Sequence, residues 1–234
     1  MSISQLRKNL RELADPAIAH HSQRFFKTGP GEYGEGDKFL GIRVPILREQ
    51  ARKFKQISLQ ETRQLLKSTY HEERLCALFL LVEKYSRGST TERENIYRLY
   101  LAHTRYINNW DLVDSSAPKI IGAHLEDKDR QPLYQLATSS NLWERRIAIM
   151  STLHFIRQRQ FDETLAISEL LINDEEDLIH KAVGWMLREV GNRDGKVERV
   201  FLKAHYLTMP RTMLRYAIEK FPQLERKKYL KSEI

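Results

Sequence analysis

A carboxylate on the apolar face of a helix is the first feature of this sequence that needs a chemical explanation. Residues 109–125 (NWDLVDSSAPKIIGAHL) read as a helix capped by Asn108 or Asn109. Asp111 falls in its first turn, where the helix dipole favours negative charge. Asp114 lies one turn beyond Trp110, so the two side chains meet on one face, which Ala117 shares. A charge there is costly unless it is paired or put to use. Pro118 cannot donate to the Asp114 carbonyl, which predicts a kink.

Arg146 and Trp185 are anomalous in related ways. The helix around Arg146 carries one apolar stripe of Leu142, Ile149, Leu153 and Ile156, and another of Trp143, Ile147 and Met150. Arg146 projects between them, toward a packed or groove-facing side. Trp185 lies off the stripe formed by Ile179, Val183, Met186 and Val190, and its face-mates are Lys181 and Arg188. A large aromatic among cations suits nucleic-acid backbones and sugars. A purely structural reading competes. Asp114 and Arg146 would then be an ion pair between neighbouring repeats, with the tryptophans as core filling.

Other chemistries find less support. His20-His21 and His71-Glu72-Glu73 have no further metal ligand at useful spacing, and the eight histidines are scattered. Ser115-Ser116 have no positioned base. Five of the ten glycines lie within residues 29–41, where Gly29, Gly31 and Gly34 match G-x-G-x-x-G literally. No strand precedes that match, no helix opens directly after it, and Glu32, Glu35 and Asp37 would oppose a phosphate. An ordered loop leading to a helix near Pro45 is the simpler reading, and a loop of that length can serve a substrate. The single cysteine, Cys76, excludes an internal disulfide framework and any multi-cysteine metal site.

The elements that must position these residues are helical. Leucine occurs 30 times and valine 7 times, which favours helix over strand, and no convincing period-two run is present. Cap and turn residues recur every 12–20 residues, among them Asp15-Pro16, Ser58, residues 87–89, residues 139–141 and Gly191-Asn192. The tryptophans at 110, 143 and 185 are spaced by 33 and 42 residues, near the period of HEAT and armadillo helix pairs. An irregular helical bundle fits the same spacing. No low-complexity linker divides the 234 residues, so one domain spanning 1–234 is expected. No apolar run reaches the roughly 20 residues of a membrane span. The charged N-terminus lacks an apolar signal core, which predicts a cytoplasmic chain. A formal net charge of +8 hints at a polyanionic partner, although solubility alone also explains it.

Four segments carry a resemblance: residues 25–45 (FFKTGPGEYGEGDKFLGIRVP), 108–114 (NNWDLVD), 142–149 (LWERRIAI) and 180–191 (HKAVGWMLREVG). In order and spacing they are similar to the AlkD-type DNA alkylation repair proteins, over nearly the whole chain. The resemblance implies an all-α, right-handed solenoid of HEAT-like helix-pair repeats around a concave basic groove. It implies a DNA glycosylase acting on purines alkylated at N3 or N7 in double-stranded DNA. The family's catalytic acid matches Asp114, its paired aromatics match Trp110 and Trp185, and its groove arginine matches Arg146. A further aromatic from the N-terminal helices falls at Phe25 or Phe26. Arg145, Arg188 and Lys181 join Arg146 as candidate DNA contacts. Neither metal nor cofactor is expected, and a monomer is. A relative that binds damaged or branched DNA without base release is the main rival, and a protein-interaction solenoid the next.

Overall fold

The structure, a computed structural model, describes residues 2–234. It contains no β-strand among those residues, only an isolated bridge between Lys38 and Tyr70. In chain order the helices are α1 (Ile3–Glu12), α2 (Pro16–Phe25), α3 (Val44–Lys53), α4 (Leu59–Leu66), α5 (His71–Arg87), α6 (Thr90–Leu101) and α7 (Trp110–Ala117). There follow α8 (Gln131–Ala137), α9 (Leu142–Ser151), α10 (Leu153–Arg157), α11 (Asp162–Leu170), α12 (Asp177–Gly191), α13 (Gly195–His205), α14 (Arg211–Ala217) and α15 (Gln223–Lys231). None is long and apolar enough to cross a membrane among the described residues.

Local chemistry sets these boundaries. Asp15 accepts from the N–H groups of Ala17 and Ile18 to start α2, with Pro16 at the first helical position. Ser58 with Glu61, and Ser89 with Glu92, close full capping boxes on α4 and α6. Asn109 caps α7 and Asn141 caps α9. At Pro118 the helix does not simply kink. The proline lacks the N–H that Asp114 needs, and the backbone continues as one π-helical stretch, Pro118–Gly122.

Contacts divide the chain into two compact units, residues 1–120 and 121–234. In the first, α5 packs on α3, α4, α6 and α7. In the second, α9 packs on α8 and α12, and α12 on α11, α13 and α14. Most of these partners are near neighbours in sequence, as in an all-α solenoid-like repeat fold.

Helix α5 organises the first unit. Its stretch Leu75-Cys76-Ala77-Leu78-Phe79-Leu80-Leu81 is buried on every face. Its first turn is buried too, although it reads His71-Glu72-Glu73-Arg74: none of the four is more than 3% exposed. Glu73 accepts from Arg7 at 3.3 Å and Arg11 at 2.9 Å, which ties α1 to α5. Glu72 accepts from the backbone N–H groups of Leu40, Gly41 and Ile42 at 2.9, 2.7 and 3.3 Å. The end of the glycine-rich loop is thereby fastened to α5.

Gly41 is irreplaceable at that fastening. Its φ is +81°, and a Cβ there would stand 2.0 Å from the Asp15 carbonyl oxygen. Gly41→Ala should lower the unfolding free energy by at least about 1–2 kcal/mol, the cost of a left-handed backbone alone. Urea denaturation would show it, and an unchanged midpoint would mean that the loop relaxes freely.

Candidate active site

Helix α7 presents two carboxylates three residues apart, and the fold treats them differently. Leu112, Val113, Ser116 and Ala117 bury one side of the helix. Asp114 is half-buried, one turn from Trp110. Its charge, added to the larger effect of burial, raises the pKa of Tyr100, whose hydroxyl is 2.9 Å from Ser116 Oγ. Asp111 instead turns back toward α5, where its Oδ2 accepts from His71 Nε2 at 2.8 Å.

His71 is held from both sides. Its Nδ1 lies 3.3 Å from Oδ2 of Asp37, in the glycine-rich loop. Arg74 donates to the same oxygen at 2.7 Å, and Asn108 donates to Asp37 Oδ1 at 3.3 Å. Burial works against the imidazolium, but the charge of Asp111 and the hydrogen bonds to Asp111 and Asp37 outweigh it and raise the pKa to about 9. Asp37 is held below the usual carboxylate range. Burial pushes it up, and the hydrogen bond from His71 and the charge of Arg74 more than compensate.

Aromatic rings are layered on this cluster. Phe39 stacks on His71 with centroids 4.7 Å apart, and Phe26 lies 4.9 Å from His71 and 5.1 Å from Phe39. Phe26 in turn stacks on Trp110 at 5.4 Å and 23°. Phe25 meets both edge-on, Trp110 at 6.0 Å and Phe26 at 5.0 Å, and remains 57% exposed. The result is an aromatic face open to solvent, one helical turn from a half-buried carboxylate. Gly34 lets the loop close beneath it, since a Cβ there would stand 2.4 Å from the Phe26 carbonyl oxygen.

The other candidate residues lie in the second unit, on α9 and α12. Arg146 is 5% exposed and donates to the Leu178 carbonyl at 2.5 Å, which joins α9 to the start of α12. Arg145 grips both carboxylate oxygens of Asp174, at 2.6 and 3.3 Å, and donates to the carbonyls of Ser139 and Ser140. Trp185 is half-buried, with its indole N–H 3.4 Å from Glu189. Lys181 pairs with Asp177 at 2.7 Å, and Arg188 pairs with Glu219. Among the described residues no group of three or more histidine, cysteine or acidic side chains is arranged to hold a metal ion.

Sequence reasoning missed the His71 cluster. It set His71 aside as one of several scattered histidines and read Asp111 as a dipole partner. The available signal was the helix itself. Its apolar run begins directly after His71-Glu72-Glu73-Arg74, so that turn adjoins a helix stretch buried on all faces.

The fold matches that of a solved structure described as a predicted DNA alkylation repair enzyme from Enterococcus faecalis. The TM-score is 0.69, over 90% of this chain and 97% of the other, at 18% sequence identity. That likeness speaks for an all-helical repeat fold. No functionally curated protein matches the chain. The family model for DNA alkylation repair enzymes matches residues 6–221, and the chain belongs to that family.

The His71 cluster makes stability pH-dependent. The folded pKa of about 9 lies above the reference value of 6.5, so the contribution is complete below about pH 6.5 and is lost as pH rises through 9. Its full size is about 3 kcal/mol. His71→Gln should be the less stable protein near pH 6, and the gap from wild type should narrow by pH 10. Chemical denaturation across that range checks it. A gap that does not change with pH would mean that folding leaves the His71 pKa unshifted.

Proposed function

We propose that this chain is a monofunctional DNA glycosylase that releases purines alkylated at N3 or N7 from duplex DNA. The observation that carries the reading is the half-buried Asp114, one turn from Trp110 on an open aromatic face. Membership of a DNA alkylation repair family supports the substrate class.

The chemistry needs little beyond these groups. A purine alkylated at N3 or N7 is cationic, so its bond to deoxyribose is weak. The base leaves as a neutral molecule with the bonding electron pair, and the sugar develops oxocarbenium character. The Asp114 carboxylate would stabilise that charge and orient the attacking water, as carboxylates do in glycoside cleavage. The water passes a proton to the Asp114 carboxylate, and thence to solvent, as its oxygen bonds to the anomeric carbon. Trp110 and Trp185 would bear on the deoxyribose and backbone, with Phe25 extending the face around Trp110.

Lys181 and Arg188 would serve backbone phosphates, and Arg146 and Arg145 would do so only by giving up the Leu178 carbonyl and Asp174. Lys181 and Arg188 would exchange Asp177 and Glu219 for phosphate oxygens. Each such exchange releases counterions, so log affinity should fall with log salt by about 0.9 per phosphate neutralised. Because the groups act on the sugar and backbone, the reading needs no pocket for a flipped base. The products are free base and an abasic site, and double-stranded DNA is the only partner required.

Release of free base from methylated duplex DNA tests this. Wild type should release it, and Asp114→Asn should slow release by about a hundredfold or more, with duplex affinity little changed. Equal release by both proteins would remove Asp114 from the mechanism. Tight, salt-dependent binding with no release from either would identify a binding-only relative.

A further inference from the structure

We propose that His71 is a positioning residue for the DNA-facing surface, acting on Trp110 by two routes at once. The inference rests on the reading of Trp110 given above. The first route is the helix. Asp111 immediately follows Trp110, and its hydrogen bond to His71 Nε2 at 2.8 Å fixes how α7 is rolled about its axis. The second is the ring stack. Phe26 lies between the two residues, 4.9 Å from His71 and 5.4 Å from Trp110.

The other side of His71 brings in the loop. Nδ1 meets Asp37, and Asp37 is in turn held by Arg74 and Asn108. Glu72 fastens the same loop through three backbone N–H groups. The loop supplies Phe39, which stacks on His71, and begins at Gly29, shortly after Phe25 and Phe26. One imidazolium therefore sits where α5, α7 and the loop meet. It has Asp111 on one side and Asp37 on the other, with Arg74 as the further charge facing it. Both of its N–H groups are committed to carboxylates, and at 2% exposure it is not itself available to DNA. Any effect of His71 on DNA must pass through the residues it holds.

A double-mutant cycle separates that role from general support of the fold. The proteins are full-length wild type, His71→Gln, Trp110→Ala and the double variant. The readout is the dissociation constant for a duplex carrying a tetrahydrofuran abasic-site analogue, with circular dichroism and thermal melting run in parallel. If His71 acts through Trp110, His71→Gln should weaken binding about fivefold where Trp110 is present and hardly at all in the Trp110→Ala background, a coupling normal for contacting residues. Equal weakening in both backgrounds, or none in either, overturns the proposal.

Should His71→Gln fail to fold, Asp111→Ala takes its place. It breaks the α7 contact but leaves His71 on Asp37, and the same coupling with Trp110 is expected. Base release, measured separately, distinguishes the two inferences. A wild type that binds without release ends the glycosylase reading, and the binding cycle still decides the role of His71. A wild type that neither binds nor releases overturns both.

Discussion

Four consecutive ionisable side chains enter the interior of the first unit at the start of α5, and each must find a partner there. A buried charge stripped of its partner costs about 3–5 kcal/mol. His71, Glu72, Glu73 and Arg74 meet that demand by reaching different parts of the chain. His71 takes α7 and the glycine-rich loop, Glu72 the loop backbone, Glu73 helix α1, and Arg74 the loop acid and the Ser68 carbonyl. The turn works as a junction. Its specificity comes from the requirement that none of the four be left alone, not from the strength of any single pair.

That constraint explains why a loop so rich in glycine is ordered. Residues 29–41 have little apolar surface of their own until Phe39 and Leu40. They are held from within α5, by carboxylate acceptors for backbone donors and a shared acid between His71 and Arg74. Glycine at 34 and 41 then allows backbone to approach backbone at distances no Cβ permits. The loop in turn completes the aromatic layer, since Phe39 and Phe26 enclose the face of His71.

The parts legible in the sequence were those written in local spacing. Helix caps at Asp15, Ser58, Ser89, Asn109 and Asn141 were visible because a cap and its partner lie within a few residues. Asp114 stood out because Trp110 is one turn away. Pro118 was legible as a disturbance, but a missing N–H does not say whether a helix bends or shifts to π register. The His71 cluster was not legible, since its partners are 34 and 40 residues distant in sequence. Nor could local pattern show that Arg145 spends its donors on Asp174 and two carbonyls. Arg146 was read as projecting between two apolar stripes toward a packed or groove-facing side, and it is 5% exposed.

The two acids of α7 show how a structural contact can govern a chemical one. Asp111 and Asp114 are three residues apart on a rigid helical turn, so the direction of one determines the direction of the other. Asp111 is fixed to an imidazolium whose other N–H is fixed to Asp37, and little rotation of α7 is possible without breaking that chain. Asp114 sits one helical turn further along the same rigid backbone. Catalysis by a carboxylate that stabilises a developing cation depends on placement, where a shift of about 1 Å can cost about a hundredfold. On the glycosylase reading proposed above, anchoring through the neighbouring acid would fix that placement while Asp114 stays half-buried.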